Sequence, residues 1–185
     1  MPFEPREITD PKAMRALAHP VRLALLEALA DEQSLTATEA GERVGESPAN
    51  ASFHLRQLAK YGFVEEAEGG TGRRRPWRLK QLGMRYTDVH EDPETARAGR
   101  ALSRVMHGRY FARAEQALEE RQALPAEWRA VTGVNQMRFY LTPDELSQLD
   151  KDLLELMMER FGDRRAHQPP GTERVEILTM AYRTP

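Results

Sequence analysis

Cysteine is missing from all 185 residues, which excludes a disulfide framework, a thiolate metal site and a cysteine nucleophile together. No apolar run is long enough for a membrane span and no stretch has the build of a secretory signal, so a cytoplasmic protein without a membrane partner is expected. Catalytic signatures are lacking too: there is no nucleophile elbow, no phosphate loop and no histidine pair at metal-binding helical spacing. Scattered Asp, Glu and His do not make an active site, so neither an enzyme nor a cofactor is expected. Repeats and low-complexity tracts are absent as well. What is present is 40% hydrophobic residues, enough for a core and for two compact units, with 30% charged residues to face water. A net charge of −2 does not oppose anion binding where cations are concentrated locally.

Residues 47 to 64 are the most informative. Ser47 can accept a backbone N–H as N-cap, Pro48 suits the first helical position because its missing donor would be unpaired there, and Gly62 can take the left-handed turn that ends a helix. At about 100° per residue, Ala51, Leu55 and Leu58 fall on one side and Ala49, Phe53, Arg56 and Lys60 on the other. The first side is expected to pack inward. A phenylalanine beside two cations and no acid is unusual for a merely solvated face, since an exposed ring gains nothing from water. In a DNA major groove the Phe53 ring could touch a thymine methyl while Asn50 reads an adenine edge. The competing reading packs Phe53 on a neighbouring helix or a partner chain.

A basic hairpin, Glu68 to Leu79, follows. Gly69, Gly70 and Gly72 around Thr71 permit the positive φ values of a tip, and Arg73, Arg74 and Arg75 leave it on the return strand. Between residues 48 and 80, seven Lys/Arg stand against three acids, so cations are concentrated where phosphates would lie. Three arginines alone would be a solvated face; their place after a capped helix makes them a candidate wing. Trp77 and Leu79 alternate with Arg78, which favours a core role for Trp77.

Upstream, Asp10 caps a helix from Pro11 to Ala18, His19-Pro20 starts another through Ala30, and Thr36 opens a short one to Val44. Gly45 and Glu46 leave a brief turn before Ser47, so residues 36 to 61 read as helix, turn, helix. The string Leu-Ala-His-Pro-Val-Arg-Leu-Ala-Leu-Leu-Glu-Ala-Leu (17 to 29), with Ser47, His54-Leu55, Leu58 and Gly62-Phe63-Val64, resembles the winged helix-turn-helix of ArsR-type bacterial repressors. The likeness covers about residues 10 to 82. It implies a homodimeric transcriptional regulator that sets one recognition helix per protomer in adjacent major grooves of double-stranded DNA. Matching positions on that helix are Ser47, Asn50, Ser52, Phe53 and His54, with the arginine wing on the backbone or minor groove. Ala49, Arg56, Gln57 and Lys60 complete the candidate DNA-binding set. His54 sits at the edge of the inward face, where a packing role competes with base reading. Family members often hold a thiolate metal site, which the lack of cysteine rules out. A second family site uses Asp, His and Glu on a C-terminal helix, and Asp88-Val89-His90 with His107 is its nearest echo. The spacing does not make a site, so no metal is expected.

From about Pro93 to Leu124 the pattern predicts a long helix. Ala98, Leu102, Val105 and Met106 share one face, while Phe111, Ala114 and Leu118 lie roughly opposite, so two surfaces need covering. One suits the winged unit and the other a partner protomer or the C-terminal unit. Val134 to Leu141 then alternates as a strand, and Thr142-Pro143-Asp144-Glu145 forms a cap and first turn. Leu146, Leu149, Leu153, Met157 and Phe161 stripe a helix, and Arg174 to Arg183 alternates again. A strand-helix-strand unit covers one side of its sheet with its own helix. The other side must meet a dimer partner, the long helix or a small apolar ligand, an effector whose identity the sequence does not name. Met157, Met158 and Met180 are adaptable packing residues first and pocket linings second. Trp128 near the junction is open to either role.

The expected fold class is thus α+β, mostly helical. A winged helix-turn-helix DNA-binding domain occupies 1–82, a long dimerisation and linker helix 83–130, and a strand-helix-strand unit 131–185. The expected function is a sequence-specific DNA-binding transcriptional regulator; that it is a homodimeric repressor is what the family resemblance implies, repression needing only occupancy of a promoter. The alternative is a winged-helix interaction module that uses Phe53 and the basic wing to hold an acidic protein partner.

Overall fold

The computed structural model describes residues 5–70, 75–81, 83–162, 164 and 168–184. The chain divides into two compact units, Met1–Arg113 and Ala114–Pro185.

The first unit opens with a short strand, β1 (Arg6–Glu7), and continues through α1 (Pro11–Leu17), α2 (Pro20–Asp31), α3 (Ala37–Val44) and α4 (Pro48–Lys60). Three short strands, β2 (Val64–Glu66), β3 (Trp77–Leu79) and β4 (Met84–Arg85), precede α5 (Pro93–Glu120). The helices begin where their caps dictate. The Asp10 carboxylate accepts from the Lys12 and Ala13 N–H groups, Thr36 and Glu39 form a reciprocal capping box, and the Ser47 hydroxyl accepts from the Asn50 N–H at 3.2 Å. Pro11, Pro20 and Pro48 each occupy a first-turn position, where an absent donor costs nothing. Gly45 and Gly62, at φ 73° and 71°, make the left-handed turns that end α3 and lead out of α4.

These elements close around one core. Met14, Leu17, Leu25, Leu29, Leu55, Leu58, Val64 and Leu102 are fully buried, and each such side chain contributes about 1.5–3 kcal/mol of transfer free energy. From α5, Ala98 and Leu102 enter the core and Val105 and Met106 pack against it, as their shared face predicts, whereas Phe111 on the other face is 46% exposed. Glu27 on α2 fastens this part of α5, accepting from Arg109 at 2.5 Å and from Arg113 at 2.7 Å. Burial pushes the Glu27 carboxyl up, but the two guanidiniums outweigh it and hold the group below the usual carboxylate range.

β2 and β3 form the antiparallel stem of the hairpin, with Val64 opposite Leu79 and Glu66 opposite Trp77. Trp77 also exchanges two backbone hydrogen bonds with Leu35, at 2.7 and 3.0 Å, which ties the stem to the segment before α3. β1 and β4 make a separate parallel pair, Arg6 opposite Met84. No periodicity in the sequence announces that pair.

The second unit holds a 3-10 turn (Arg121–Ala123), α6 (Ala126–Val131) and α7 (Pro143–Phe161). Arg121 donates to the Arg129 carbonyl at 2.6 Å and Arg129 to the Leu124 carbonyl at 2.8 Å, closing the turn around α6. A Thr142–Glu145 capping box starts α7 as expected. The strands expected at 134–141 and 174–183 do not form: both segments lack regular secondary structure, and neither joins a strand pair among the described residues. Alternation states which side chains a strand would bury, but a strand also needs an aligned ladder along its length, and no strand pair among the described residues includes either segment. No described residue beyond Ser103 is buried. No described helix is long and apolar enough to cross a membrane.

Candidate nucleic-acid interface

The α3–α4 pair is brought close by Gly41. A Cβ at that position would lie 2.7 Å from the Glu46 carbonyl oxygen and 3.3 Å from the Ala51 Cβ, so the turn can fold back onto α3 only where a side chain is lacking. α4 then turns Ala51, His54, Leu55 and Leu58 into the core and leaves Ala49, Phe53, Arg56 and Lys60 exposed. Phe53 is 50% exposed, and its ring meets the His54 ring edge-on at 5.2 Å. Arg56 donates to the Ser52 hydroxyl at 3.1 Å, while Gln57 is half-buried. Ser47 is exposed, with its oxygen committed to the cap.

Two residues depart from the simple picture of readers on an open face. The Asn50 amide donates to the Glu46 carboxylate at 2.6 Å, so reading an adenine edge with both its donor and its acceptor requires that bond to exchange. His54 is corrected from a candidate base reader to a packing residue: it is 7% exposed and turned inward. Its ring lies 4.6 Å from that of His19, tilted by 42°, so the His19-Pro20 break before α2 rests against α4. Burial lowers the pKa of both rings; Arg22 adds to it for His19, and His19 and Arg22 add to it for His54, with Glu46 opposing in each case. The inward stripe is wider than Ala51, Leu55 and Leu58 alone imply, and it takes in the next position on the wheel.

In the hairpin, Arg75 pairs with Glu66 and Arg78 with Glu65, both at 2.8 Å and all largely exposed. Such surface pairs contribute about 0–1 kcal/mol and exchange readily, so they leave both cations open to a phosphate. Arg73 and Arg74, with Thr71 and Gly72 at the tip, lie outside the described residues. Trp77 is partly buried against the core, as its alternation predicts.

Arg6 has a role that no local sequence pattern announces. Its guanidinium donates to the Gly62 carbonyl at 2.6 Å and to the Tyr61 carbonyl at 2.8 Å, and it stacks 4.4 Å over the Phe63 ring. It thereby binds the carbonyls at the C-terminal end of α4, where a cation is also favoured by the helix dipole. The partners lie 55 and 56 positions away, beyond any local pattern.

Elsewhere, Asp88 accepts from the Ser103 hydroxyl at 3.2 Å, a His90 ring nitrogen lies 2.9 Å from the Thr87 carbonyl, and His107 sits 6.1 Å from the Phe111 ring. Among the described residues no three of His, Asp and Glu gather to hold a metal ion. A cavity of about 150 Å³ opens beside α2, β4 and α5, walled by Leu23, Leu26, Met84 and Met106 and edged by Arg6 and Arg109.

Residues 17–67 match the family model described as a helix-turn-helix domain, a stretch that runs from the end of α1 through β2. The match supports a helix-turn-helix transcriptional regulator that binds DNA. A comparison with curated proteins finds no match.

Proposed function

We propose that the chain is a homodimeric, sequence-specific regulator of the ArsR type, a cytoplasmic repressor with no catalytic step. α4 enters the major groove and the β2–β3 hairpin lies along the backbone or minor groove. The observation that carries this reading is Phe53, a ring left half in water on a capped helix that contains no acid, flanked on the same side by Ala49, Arg56 and Lys60. A duplex offers that face both an apolar contact, the thymine methyl, and phosphates for the two cations. Ser47, Asn50, Ser52 and Gln57 complete the contact set on α4, and Arg73, Arg74 and Arg75 supply the wing. His54 acts behind the surface, positioning α4. A small apolar effector is the ligand that suits the cavity beside α5, where its arrival would bear on the helix that follows the wing.

Selection of bound sequences from random duplex is the test, and it should return a site with two-fold symmetry. On that site Phe53→Ala should change base preference or lose specific affinity. Arg74→Ala should instead weaken binding to every duplex and flatten the salt dependence by about one unit of slope. Absence of duplex binding in low salt would overturn the proposal and favour an acidic protein partner.

A further inference from the structure

The hydrogen bond between Asn50 and Glu46 decides which end of the Asn50 amide is committed. A carboxylate only accepts, so the nitrogen is the end that Glu46 holds, at 2.6 Å, and the carbonyl oxygen is the end turned from it. The local fold does not depend on either side chain. Backbone closes the turn before α4, with the Glu46 N–H donating to the Gly41 carbonyl at 2.8 Å and Gly45 taking a left-handed φ of 73°. The Ser47 hydroxyl caps α4 by accepting from the Asn50 N–H. Asn50 is half-buried in the first turn of α4, the part of a recognition helix whose side chains meet base edges. Glu46 is also a cost where it stands, since a carboxylate beside a helix that carries Arg56 and Lys60 and no acid works against phosphate.

We propose that Glu46 is a specificity-determining residue that acts through Asn50: by keeping the amide nitrogen it makes Asn50 an acceptor toward DNA, so that the base selected there is one offering an amino group, cytosine before adenine. The proposal rests on the reading of α4 as a major-groove helix.

In the major groove cytosine N4 and adenine N6 donate, whereas thymine O4 and guanine O6 and N7 accept. A carbonyl set against O4 or O6 leaves lone pairs facing each other with water excluded, so thymine and guanine are refused. Between the two donors cytosine ranks first, because adenine sets beside its N6 an N7 acceptor that needs the nitrogen Glu46 retains. Asparagine by itself implies the reverse order, since an unheld amide matches adenine by both atoms. The bond to the carboxylate is charge-assisted and fixes the amide before DNA arrives, so little side-chain freedom is lost on binding.

The test measures the affinity of the full chain for a selected duplex and for its three single-pair variants at each position of a half-site. Asn50→Ala should abolish the choice at one position, which locates the contact. There the unaltered protein should prefer cytosine to thymine or guanine by about ten-fold or more, with adenine second. Glu46→Ala should move the preference at that position to adenine, leave the other positions as they were, and raise affinity for every duplex alike through loss of the acid. Added to Asn50→Ala, it should alter no base choice, a non-additivity that a merely structural role would not produce. Adenine ranked first by the unaltered protein, a cytosine preference that survives Glu46→Ala, or an Asn50→Ala profile changed at no position would overturn the inference and leave the regulator standing. Absence of duplex binding in low salt would overturn both. Should Glu46→Ala fail to fold, the ranking by the unaltered protein decides.

Discussion

Replacing Arg6 by alanine removes three interactions at one point: the donations to the Gly62 and Tyr61 carbonyls at 2.6 and 2.8 Å and the stacking over Phe63 at 4.4 Å. Hydrogen bonds that involve a charged group contribute about 1.5–3 kcal/mol, and a partly exposed cation over a ring about 0.5–1 kcal/mol. Because Arg6 is half-buried and water can replace part of what is lost, a destabilisation of about 2–4 kcal/mol is expected. Each kcal/mol moves the midpoint of a domain of about 100 residues by roughly 4 °C or more, so Tm should fall by about 10 °C. Arg6→Lys keeps the charge but loses the planar fork that reaches two carbonyls, and should recover less than half of the difference. The assay is thermal unfolding of the full chain followed by circular dichroism, paired with duplex binding measured well below the transition. Specific affinity should drop because the end of α4 loosens, while the salt slope stays unchanged, since Arg6 is not placed against phosphate. A fall in Tm below about 2 °C, or a reduced salt slope, would refute the structural role assigned to Arg6.

Two further perturbations test the frame behind α4. Gly41→Ala should cost about 1–2 kcal/mol in denaturant titration despite alanine's better helix propensity, because the new methyl meets the Glu46 backbone at 2.7 Å. Gly108→Ala on α5, where nothing lies within 4 Å, should stabilise by about 0.5–1 kcal/mol, and the opposite order would count against the close approach of α3 and α4. The His19–His54 stack predicts an acid response. Both rings have folded-state pKa values below the ordinary 6.5, so the unfolded chain takes up protons first as pH falls. Stability should therefore be complete above about pH 6.5–7 and decline below it, by up to about 1.4 kcal/mol per pH unit for each histidine. Tm measured from pH 8 to 5 should show that decline, and His54→Leu should flatten it; an unaltered profile in the variant would remove the pair as its source.

Much of the first unit is legible in the sequence because its instructions are local. Asp10, Thr36 and Ser47 are readable as caps since each serves amide groups within three residues of itself. The Ala49, Phe53, Arg56 and Lys60 face follows from 3.6 residues per turn alone. What escapes is the pairing of distant backbone: β1 with β4, Leu35 with Trp77, and Arg6 with the end of α4, none of which leaves a periodic mark. For His54 the sequence leaves packing and base reading both open for another reason, since the width of a buried stripe depends on the neighbour, here His19, that lies against it. At 134–141 and 174–183 the alternation records an intention to be a strand, whereas strand formation also depends on a neighbouring chain segment.

The core of the first unit also governs how the protein can be cut. Ile8 and Met14 before the 17–67 match and Leu102 after it are all buried, Met14 and Leu102 fully. A fragment trimmed to the matched stretch would strip the inner faces of α2 and α4 of their cover and turn a well-sealed subunit into an adhesive one. Expression for crystals or spectroscopy should accordingly begin ahead of Arg6 and run at least to Arg113, where the last tether to Glu27 is made.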